Sequence, residues 1–548
     1  MTRSSRPAPV SPASTLIRAN DVELAQAAQE ALADRLFTAA THLLPHPSSA
    51  RGEDPATDVA DTLEAMVRSL TAQPDNDRIW LLLTAVAAAY PTRGEVDRTR
   101  RKLQLLTDRA AVLSVLDDTL SLAAEAGELA APIDVIAGSV VVDVDHSAKY
   151  DLHTGIQRVS RSLMPLWTAT HDVLPAAWTA QAGALRQLSP AELSRVVEWT
   201  GISPEADQVS GQPVAELAST RLIVPWHSVV VLVEVPPSAA CDRLAAIGDK
   251  SGSRLVSVAH DAIPIVSADM VPSEDTAKFV RFLTAVKFAS RVAGVSASAA
   301  SEIAGFAAAL PTQGLTGPTV IEVPLGTPRS ADINSGSPDP AAPSGSALPA
   351  WSAGGTGALL PPAPTVLVVG SHEPRKNHLA VLHSAELLWR EGLRFSLTFI
   401  GGSGWGDEFP RRVRSLQAAG RSIRIQRAVS EAELNEAYRT ARFSVFPSLH
   451  EGFGLPVVES LAHGTPVITS DFGSTAQSAA AGGTLLVNPR DDADLTAAIR
   501  TLLTDDEALA RLRGQIDERP ERTWQDYADE LWERLVEPEL QAVGTSAR

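Results

Sequence analysis

Residues 446–489 read FPSLHEGFGLPVVESLAHGTPVITSDFGSTAQSAAAGGTLLVNP, and this stretch decides most of what the sequence predicts. Two carboxylates, Glu451 and Glu459, flank a glycine-rich turn. Pro456 suits the first turn of a helix, where its missing N–H removes no hydrogen bond. A helix start beside two acids predicts a site for an anionic ligand that carries hydroxyl groups, and a nucleotide sugar is such a ligand.

An E-x7-E spacing by itself occurs in many unrelated helices. Here GFGLP lies inside the spacing, GTPVI follows it and a DFGS loop comes next, and this combination argues against chance. The stretch resembles the donor-binding signature of the retaining glycosyltransferases of family 4, also called glycosyl transferases group 1. The resemblance implies the GT-B fold, in which two Rossmann-like domains face each other across a cleft.

The composition narrows the class of protein. The chain has 548 residues, enough for three domains or more, and its formal net charge of −18 argues against free nucleic acid as a partner. Cys241 is the only cysteine, which excludes an intrachain disulfide and suits a reducing compartment. The first residues lack the apolar segment of a signal peptide, and the apolar run from Ile79 to Tyr90 is too short to span a bilayer. The sequence predicts a cytoplasmic protein.

The pattern of apolar residues changes twice along the chain. Spacing near 3.6 predicts helices from Asp21 to about Leu129, and strand–helix alternation begins near Gly138 and resumes after a Pro/Ser/Gly-rich stretch. The predicted fold class is therefore α/β, a GT-B pair of Rossmann-like domains preceded by an all-helical region. The predicted segments are a tail (1–19), a helical accessory region (20–136), an N-terminal acceptor domain (137–327), a linker (328–364), a C-terminal nucleotide-sugar domain (365–522), and a crossover helix with its tail (523–548).

The helical region carries a basic cluster of Arg98, Arg100, Arg101 and Lys102. An anionic membrane surface or an acidic partner would suit these charges, but a solvated face paired with nearby acids is the favoured interpretation. Peripheral contact with the inner membrane face and oligomerisation through this region stay open.

The motif VVGSHEPRKNH (368–378) follows the first strand of the second domain. The carboxyl ends of parallel strands bind ligands in open α/β sheets, and Arg375 and Lys376 are suited to a diphosphate. The segment looks like the E-P-R-K-N loop of the family, and Gly370 lies in the same turn. Many members have an arginine directly after this glycine, where the chain has Ser371, so the diphosphate charge is expected to fall on Arg375 and Lys376.

Two loops of the first domain complete the resemblance. VSVAHDAIPI (256–265) is similar to the family's H-D-x-I-P motif, which implies that His260 approaches the transferred sugar with Asp261 as its orienting partner. DLHTGIQRVSRSL (151–163) is similar to the T-G-I-x-R loop, which implies close approach of ligand at Gly155 and a phosphate or acceptor contact for Arg158.

The resemblance implies metal-independent transfer of a hexose to a hydroxyl acceptor. It implies as catalytic residues Glu451, which would bond the donor sugar and stabilise an oxocarbenium-like transition state, and His260, which would contact the same sugar. Arg375 and Lys376 would neutralise the charge that grows on the leaving diphosphate, and Glu459 would hold the ribose. GDP-mannose is the donor guess, the acceptor is a glycan or a lipid-linked hydroxyl, and no cofactor is expected. The D-x-D triplet at Asp143 and Asp145 is not expected to bind metal. The remaining donor-binding residues are Gly370, Gly452, Phe453, Gly454 and Leu455.

Two alternatives stay open. A UDP-sugar 2-epimerase of the same fold would also bind nucleotide sugars, but the E-x7-E signature argues against it. A non-catalytic nucleotide-sugar binder or scaffold would have no need of the five side chains Glu451, Glu459, Arg375, Lys376 and His260.

Overall fold

The computed structural model describes residues 19–45, 55–151, 154–199, 221–327, 363–427 and 429–546. Residues 1–18 of the predicted tail and nearly all of the predicted linker lie outside these ranges. The chain divides into two compact units. Unit 1 comprises residues 1–135, 179–186 and 217–224, and unit 2 comprises the rest. In the described part of the chain, no helix is both long and apolar enough to cross a membrane.

Unit 1 is built mainly from helices that enclose a buried arginine. The guanidinium of Arg35 donates to the carbonyls of Ala85 at 2.8 Å, Leu129 at 2.7 Å and Ala131 at 2.9 Å. These bonds compensate for its burial, which lowers the pKa of Arg35 to about 10. The elements are α1 (Ala19–Leu43), α2 (Pro55–Ala72), α3 (Asn76–Ala87), α4 (Arg93–Leu103), α5 (Asp108–Ala126) and the short strands β1 (Ile133–Ile136), β4 (Leu185–Gln187) and β5 (Leu222–Pro225).

The basic cluster of unit 1 lies on α4 and is partly paired. Lys102 contacts Asp118 at 2.7 Å and Arg100 lies 3.8 Å from Asp97, whereas Arg98 and Arg101 are exposed. The surface therefore combines both signs of charge, as the favoured interpretation of the sequence predicts.

The first lobe of unit 2 is a parallel sheet in the order β3-β2-β6-β7-β8-β9. The sequence predicts four of these six strands, because buried runs of Val and Leu are typical of a sheet covered on both faces. The other two strands lack such a run: Val173–Trp178 contains a proline, and Thr319–Glu322 is only partly buried. The elements are β2 (Val140–Asp143), α6 (Asp145–Lys149), α7 (Gly155–Thr170), β3 (Val173–Trp178), α8 (Pro190–Val197), β6 (Val229–Leu232), α9 (Cys241–Lys250), β7 (Arg254–Ala259), α10 (Ile263–Val266), α11 (Ser273–Val286), β8 (Arg291–Gly294), α12 (Ala297–Ala307) and β9 (Thr319–Glu322).

The second lobe is a six-stranded parallel sheet in the order β12-β11-β10-β13-β14-β15. This is the 3-2-1-4-5-6 order of a Rossmann fold, in which the chain reverses direction between the first and fourth strands. The elements are β10 (Thr365–Val369), α13 (His378–Arg390), β11 (Ser396–Ile400), α14 (Glu408–Ala418), β12 (Ile423–Gln426), α15 (Glu431–Thr440), β13 (Phe443–Phe446), α16 (Leu455–Ala462), β14 (Val467–Ser470), α17 (Gly473–Ala479), β15 (Thr484–Val487), α18 (Asp492–Thr504) and α19 (Asp506–Asp517).

The C-terminal segment returns to the first lobe. Helix α20 (Trp524–Leu531) continues through a π turn (Trp532–Val536) into α21 (Glu537–Ser546). Tyr527 and Leu531 are buried in the first lobe's core, and the indole of Trp167 donates to the carbonyl of Ala528 at 3.1 Å. Two parallel α/β lobes that follow a helical region confirm the predicted fold class.

Candidate active site

The predicted donor residues of the second lobe converge on its topological switch point. Strands β10 and β13 are neighbours, and the loops that leave their carboxyl ends span residues 370–377 and 447–454. The amide of Leu449 donates to the carbonyl of Arg375 at 2.7 Å, which fastens one loop to the other. Open α/β sheets bind ligands at such a point because the two loops diverge there and leave a crevice.

Three charged side chains from these loops form one cluster. Glu451 receives a hydrogen bond from Lys376 at 2.6 Å on one carboxylate oxygen and from Arg375 at 2.9 Å on the other. Burial by itself would raise the pKa of Glu451, but the two cations outweigh it and lower that pKa to about 2. Glu451 is therefore ionised, and it neutralises part of the positive charge predicted to meet a diphosphate.

The departure from the family at Ser371 has a structural consequence. The hydroxyl of Ser371 donates to Glu373 at 2.6 Å, and Glu373 pairs with Arg375 at 2.8 Å. Burial lowers the pKa of Arg375, but Glu451 and Glu373 outweigh it, so the net shift is upward. Burial lowers the pKa of Lys376, although Glu451 opposes this. When Glu373 is counted with the cluster, two cations and two carboxylates leave it close to neutral.

The segment between Glu451 and Glu459 contains the start of helix α16. Gly454 precedes the helix with φ of 90°, and a Cβ there would lie 2.9 Å from a methyl group of Thr475. Both the left-handed backbone and the neighbour therefore require glycine. The carbonyl of Glu451 accepts from Ser474 at 2.7 Å, which holds the turn in place. Gly370, at the other loop, also has a positive φ of 142°.

Glu459 lies on α16 and is buried between the two lobes. Its carboxylate accepts from the hydroxyl of Tyr438 at 3.1 Å and forms an ion pair with Arg158 of the first lobe. This pairing outweighs burial and raises the pKa of Arg158. The partner of Arg158 in the structure is therefore Glu459. The contact of Arg158 with phosphate or acceptor stays a prediction. Gly155, predicted to allow close approach, has room for a methyl group 3.7 Å from a methyl of Leu455.

His260 lies at the carboxyl end of β7, and a backbone carbonyl orients it. Its Nε2 is 2.9 Å from the carbonyl of Val233, which can only accept, so Nε2 carries the proton. Burial lowers the pKa of His260, which leaves the ring neutral with Nδ1 as an acceptor. The predicted orienting partner was Asp261, but that carboxylate accepts instead from the amide of Ile263 at 3.1 Å. The carboxylate of Asp261 thus forms a local turn with Ile263, whereas the sequence predicts that it orients the imidazole of His260.

The two lobes are in close contact at Gly452. A Cβ at this position would lie 1.9 Å from the carbonyl oxygen of His260, so no side chain fits between them. The hydroxyl of Ser296 in the first lobe donates to the carbonyl of Gly452 at 2.6 Å. Because Gly452 follows Glu451 in the chain, this contact brings the loops that carry Glu451 and His260 together across the cleft.

Sequence reasoning also missed the contact that His450 makes across the cleft. His450, adjacent to Glu451, lies 2.7 Å from Ser267 through Nδ1 and 2.7 Å from Glu302 through Nε2. The only sequence signal was a histidine inside the motif, and its partners are far away along the chain.

The two acids of the D-x-D triplet form a hydrogen bond and an ion pair with other side chains of the protein. Asp143 accepts from the indole of Trp178 at 2.8 Å, and Asp145 pairs with Lys149 at 2.6 Å. Burial and the neighbouring Asp145 raise the pKa of Asp143 to about 8. A protonated carboxyl and a paired carboxylate are poor metal ligands. Within the described ranges no cluster of three or more His, Cys, Asp or Glu side chains is arranged for a metal ion.

A cavity of about 670 Å³ lies on the other face of α16, where Val458 and Leu461 line it with residues 322–327 and 516–522. Among the predicted site residues of the described chain, Phe453 alone reaches it. Ser296 and Ser474 also line it and donate to the carbonyls of Gly452 and Glu451, so the cavity borders the loop of Glu451 although the Glu451 side chain does not line it.

Part of the chain is similar to known proteins. Residues 359–519 match the family model described as glycosyl transferases group 1. The chain is 28% identical over 339 residues to the serotype-specific mannosyltransferase WbdA of Escherichia coli, a match that covers 61% of this chain and 39% of that protein. It is 34% identical over 151 residues to the O-antigen chain mannosyltransferase B of E. coli, which covers 27% of this chain and 39% of the relative.

Among solved structures, the sucrose-phosphate synthase of Thermosynechococcus elongatus aligns over 74% of this chain and 99% of its own, with 17% identity and a TM-score of 0.46. The chain spans well under half the length of the curated relatives named above. Residues 359–519 form a glycosyl transferases group 1 domain, which confirms the family resemblance predicted from the sequence.

Proposed function

We propose that the chain is a retaining glycosyltransferase that moves a hexose from a nucleotide-diphosphate sugar to a hydroxyl acceptor. The observation that carries this proposal is the cluster of Arg375, Lys376 and Glu451 at the switch point of the second lobe. It combines two cations for a diphosphate with an ionised carboxylate for sugar hydroxyls, beside the start of a helix.

Binding of the donor would exchange partners within this cluster. The diphosphate would take the charge of Arg375 and Lys376 that Glu451 and Glu373 now balance. Glu451, 9% exposed as a side chain, would turn its oxygens to the hydroxyls of the sugar. Because the cations and the carboxylate already lie side by side, little reorganisation is needed. Preorganised charge in a site with little water is the largest source of rate enhancement in many enzymes.

In the transfer step, the bond between the anomeric carbon and the leaving phosphate oxygen breaks. The acceptor hydroxyl forms a new bond to that carbon on the same face, and its proton passes to the departing phosphate oxygen. Arg375 and Lys376 would stabilise the charge that grows on the diphosphate, and Nδ1 of neutral His260 would accept a hydrogen bond from a sugar hydroxyl. The close contact at Gly452 would exclude water and limit hydrolysis of the donor.

Mannose is the proposed sugar and GDP-mannose the proposed donor. The support is the similarity to two proteins named as mannosyltransferases, one of them for the O-antigen chain. A glycan or lipid-linked hydroxyl acceptor in the synthesis of a surface polysaccharide is proposed on the same grounds. The mechanism assigns no step to a metal or a cofactor.

The proposal is tested by thermal-shift titration with GDP, UDP, dTDP and ADP sugars, followed by transfer assays with the sugar nucleotide that raises the melting temperature most. Glu451→Ala should abolish transfer and retain nucleoside diphosphate binding. Glu507→Ala, an exposed acid on α19 of the same lobe, is the matched control and should leave both unchanged.

Each alternative predicts a different result. Formation of a 2-epimer without any acceptor would favour an epimerase. Binding without turnover by the unaltered chain, with every sugar nucleotide and acceptor tried, would favour a binder or scaffold. Equal transfer by the Glu451→Ala variant and the unaltered chain would refute the role of the cluster.

A further inference from the structure

The imidazole of His450 joins the two lobes next to Glu451. Both of its nitrogens face first-lobe groups: Nδ1 lies 2.7 Å from the hydroxyl of Ser267, and Nε2 lies 2.7 Å from a carboxylate oxygen of Glu302. The side chains of His450 and Glu302 are 13% and 12% exposed. The contact is therefore largely protected from solvent, and an ion pair in such a setting is screened less than one on the surface.

Glu302 connects this contact with the loop that carries His260. Its second carboxylate oxygen accepts from the amide of Ala262 at 2.6 Å. Glu302 on α12 thus holds both the backbone of Ala262, close to His260, and the ring of His450, next to Glu451. Both residues predicted to contact the donor sugar are positioned through it.

The charged groups around His450 favour its protonated form. Burial lowers the pKa of His450, but Glu302 outweighs it, with Asp261 and Glu451 contributing, so that the net shift is upward. Arg375 is the facing cation, and its guanidinium donates to the carbonyl of His450 at 3.3 Å. A protonated ring donates from both nitrogens, to Glu302 and to Ser267. A neutral ring keeps the bond to Glu302 but loses the charge that strengthens it.

The contact of His450 lies beside a second close contact between the lobes. The adjacent Gly452 touches the His260 carbonyl so closely that a Cβ would sit 1.9 Å from the oxygen. Polar contacts of this kind exchange their partners for water at a small net cost, unlike an apolar core. The arrangement is thus suited to a closure that opens and re-forms in each cycle.

We propose that His450 is a positioning residue for glycosyl transfer, which acts with Glu302 and Ser267 as a polar latch that holds the cleft closed over Glu451. The inference rests on the proposed function, because it assigns the latch to the transfer step at that site. It adds three residues to which the sequence assigns no role. It also predicts that closure responds to pH through one histidine.

The test compares His450→Gln, Glu302→Gln and Ser267→Ala in the full chain. His383→Gln, an exposed histidine on α13, is the matched control. The first two variants should lower kcat for transfer about tenfold, with little change in the affinity for nucleoside diphosphate, because a charge-assisted bond across the cleft is lost. The ratio of donor hydrolysis to transfer should rise. Ser267→Ala, the mildest change, should give a smaller effect of the same kind.

The pH profile separates a latch from a merely structural contact. Closure is strongest when His450 is protonated, so kcat should fall as the pH rises through its pKa. Glu302→Gln removes the main group that raises this pKa, so the alkaline limb should move to lower pH. His450→Gln should remove that limb. A structural defect would lower the melting temperature and leave the limb in place.

Small-angle X-ray scattering provides a readout that does not depend on turnover. The His450 and Glu302 variants should show a larger radius of gyration than the unaltered chain and the His383→Gln control. Unchanged kcat, pH profile and scattering in both variants would overturn the latch. If the unaltered chain transfers no sugar, the proposed function fails, while scattering still decides whether the three residues hold the lobes together.

Discussion

Replacement of Gly452 by alanine tests whether the two lobes must meet during transfer. A Cβ at this position would lie 1.9 Å from the carbonyl oxygen of His260, whereas Cβ atoms in proteins keep at least 3.0 Å from such neighbours. One lobe would have to retreat by about 1.1 Å at the contact. Because this contact sets the spacing between Glu451 and His260, the retreat would act directly on the reacting geometry.

The expected loss follows from the size of this movement. A misplacement of about 1 Å costs on the order of 100-fold in rate, so kcat for Gly452→Ala should fall by about that factor. The nucleoside diphosphate is proposed to bind the second lobe, and its Kd should change less than about threefold, because the added methyl group points at the first lobe.

The assay measures kcat for transfer under saturating donor and, separately, Kd for the nucleoside diphosphate by calorimetry. Gly305→Ala on α12 is the control, since a Cβ there meets no atom within 4 Å and alanine favours a helix. A Gly452→Ala variant that transfers at the unaltered rate would refute the requirement for close approach. Loss of nucleotide affinity in parallel with kcat would instead indicate damage to the second lobe.

Three further predictions concern charge and packing. Arg158→Met should tighten nucleoside diphosphate binding about threefold to tenfold by calorimetry, since ribose hydroxyls would no longer compete with Arg158 for Glu459; weaker binding would place Arg158 on the diphosphate. Glu451 titrates near pH 2 instead of 4.5, so its contribution of at most about 3 kcal/mol is present above pH 4.5 and lost as the pH falls towards 2. In urea unfolding across this window, Glu451→Gln should lose less stability than the unaltered chain, and equal losses would contradict the assignment. Trp167→Ala should cost about 3–5 kcal/mol of unfolding free energy, because it empties a buried site and breaks the bond to Ala528; a cost under 1 kcal/mol would show that the C-terminal helix docks without it.

The sequence predicted the second lobe well because its information is local. The run VLVV in β10 is apolar throughout, and VITS in β14 is buried throughout. The motifs that follow β10 and β13 come together through a general property of parallel sheets, whose carboxyl ends share one edge. The sequence assigned Arg375 and Glu451 separately to the donor, and this shared edge explains why the structure makes them neighbours.

Contacts between the lobes were beyond the same reasoning. Arg158 and Glu459 are 301 residues apart, and His450 and Glu302 are 148 apart. Each pair depends on how one sheet is oriented against the other, which no local pattern encodes. Arginine suits a phosphate as well as a carboxylate, so the type of residue at 158 fitted either partner.

Other charged residues of the site also suit either a ligand or a protein partner, and the structure shows which protein partners they have. Read from the sequence, Arg375 and Lys376 are groups for a diphosphate, and Glu451 and Glu459 are groups for hydroxyls. In the structure Arg375 and Lys376 pair with Glu451. Glu459 pairs with Arg158, since each buried charge needs a partner before any ligand arrives. A donor that offers two negative charges and several hydroxyls can replace both sets of partners at once, whereas a simple anion or a simple sugar can replace only one. We therefore expect the site to favour a molecule that combines the two chemistries, because of the pairing of its residues, which their identities alone do not reveal.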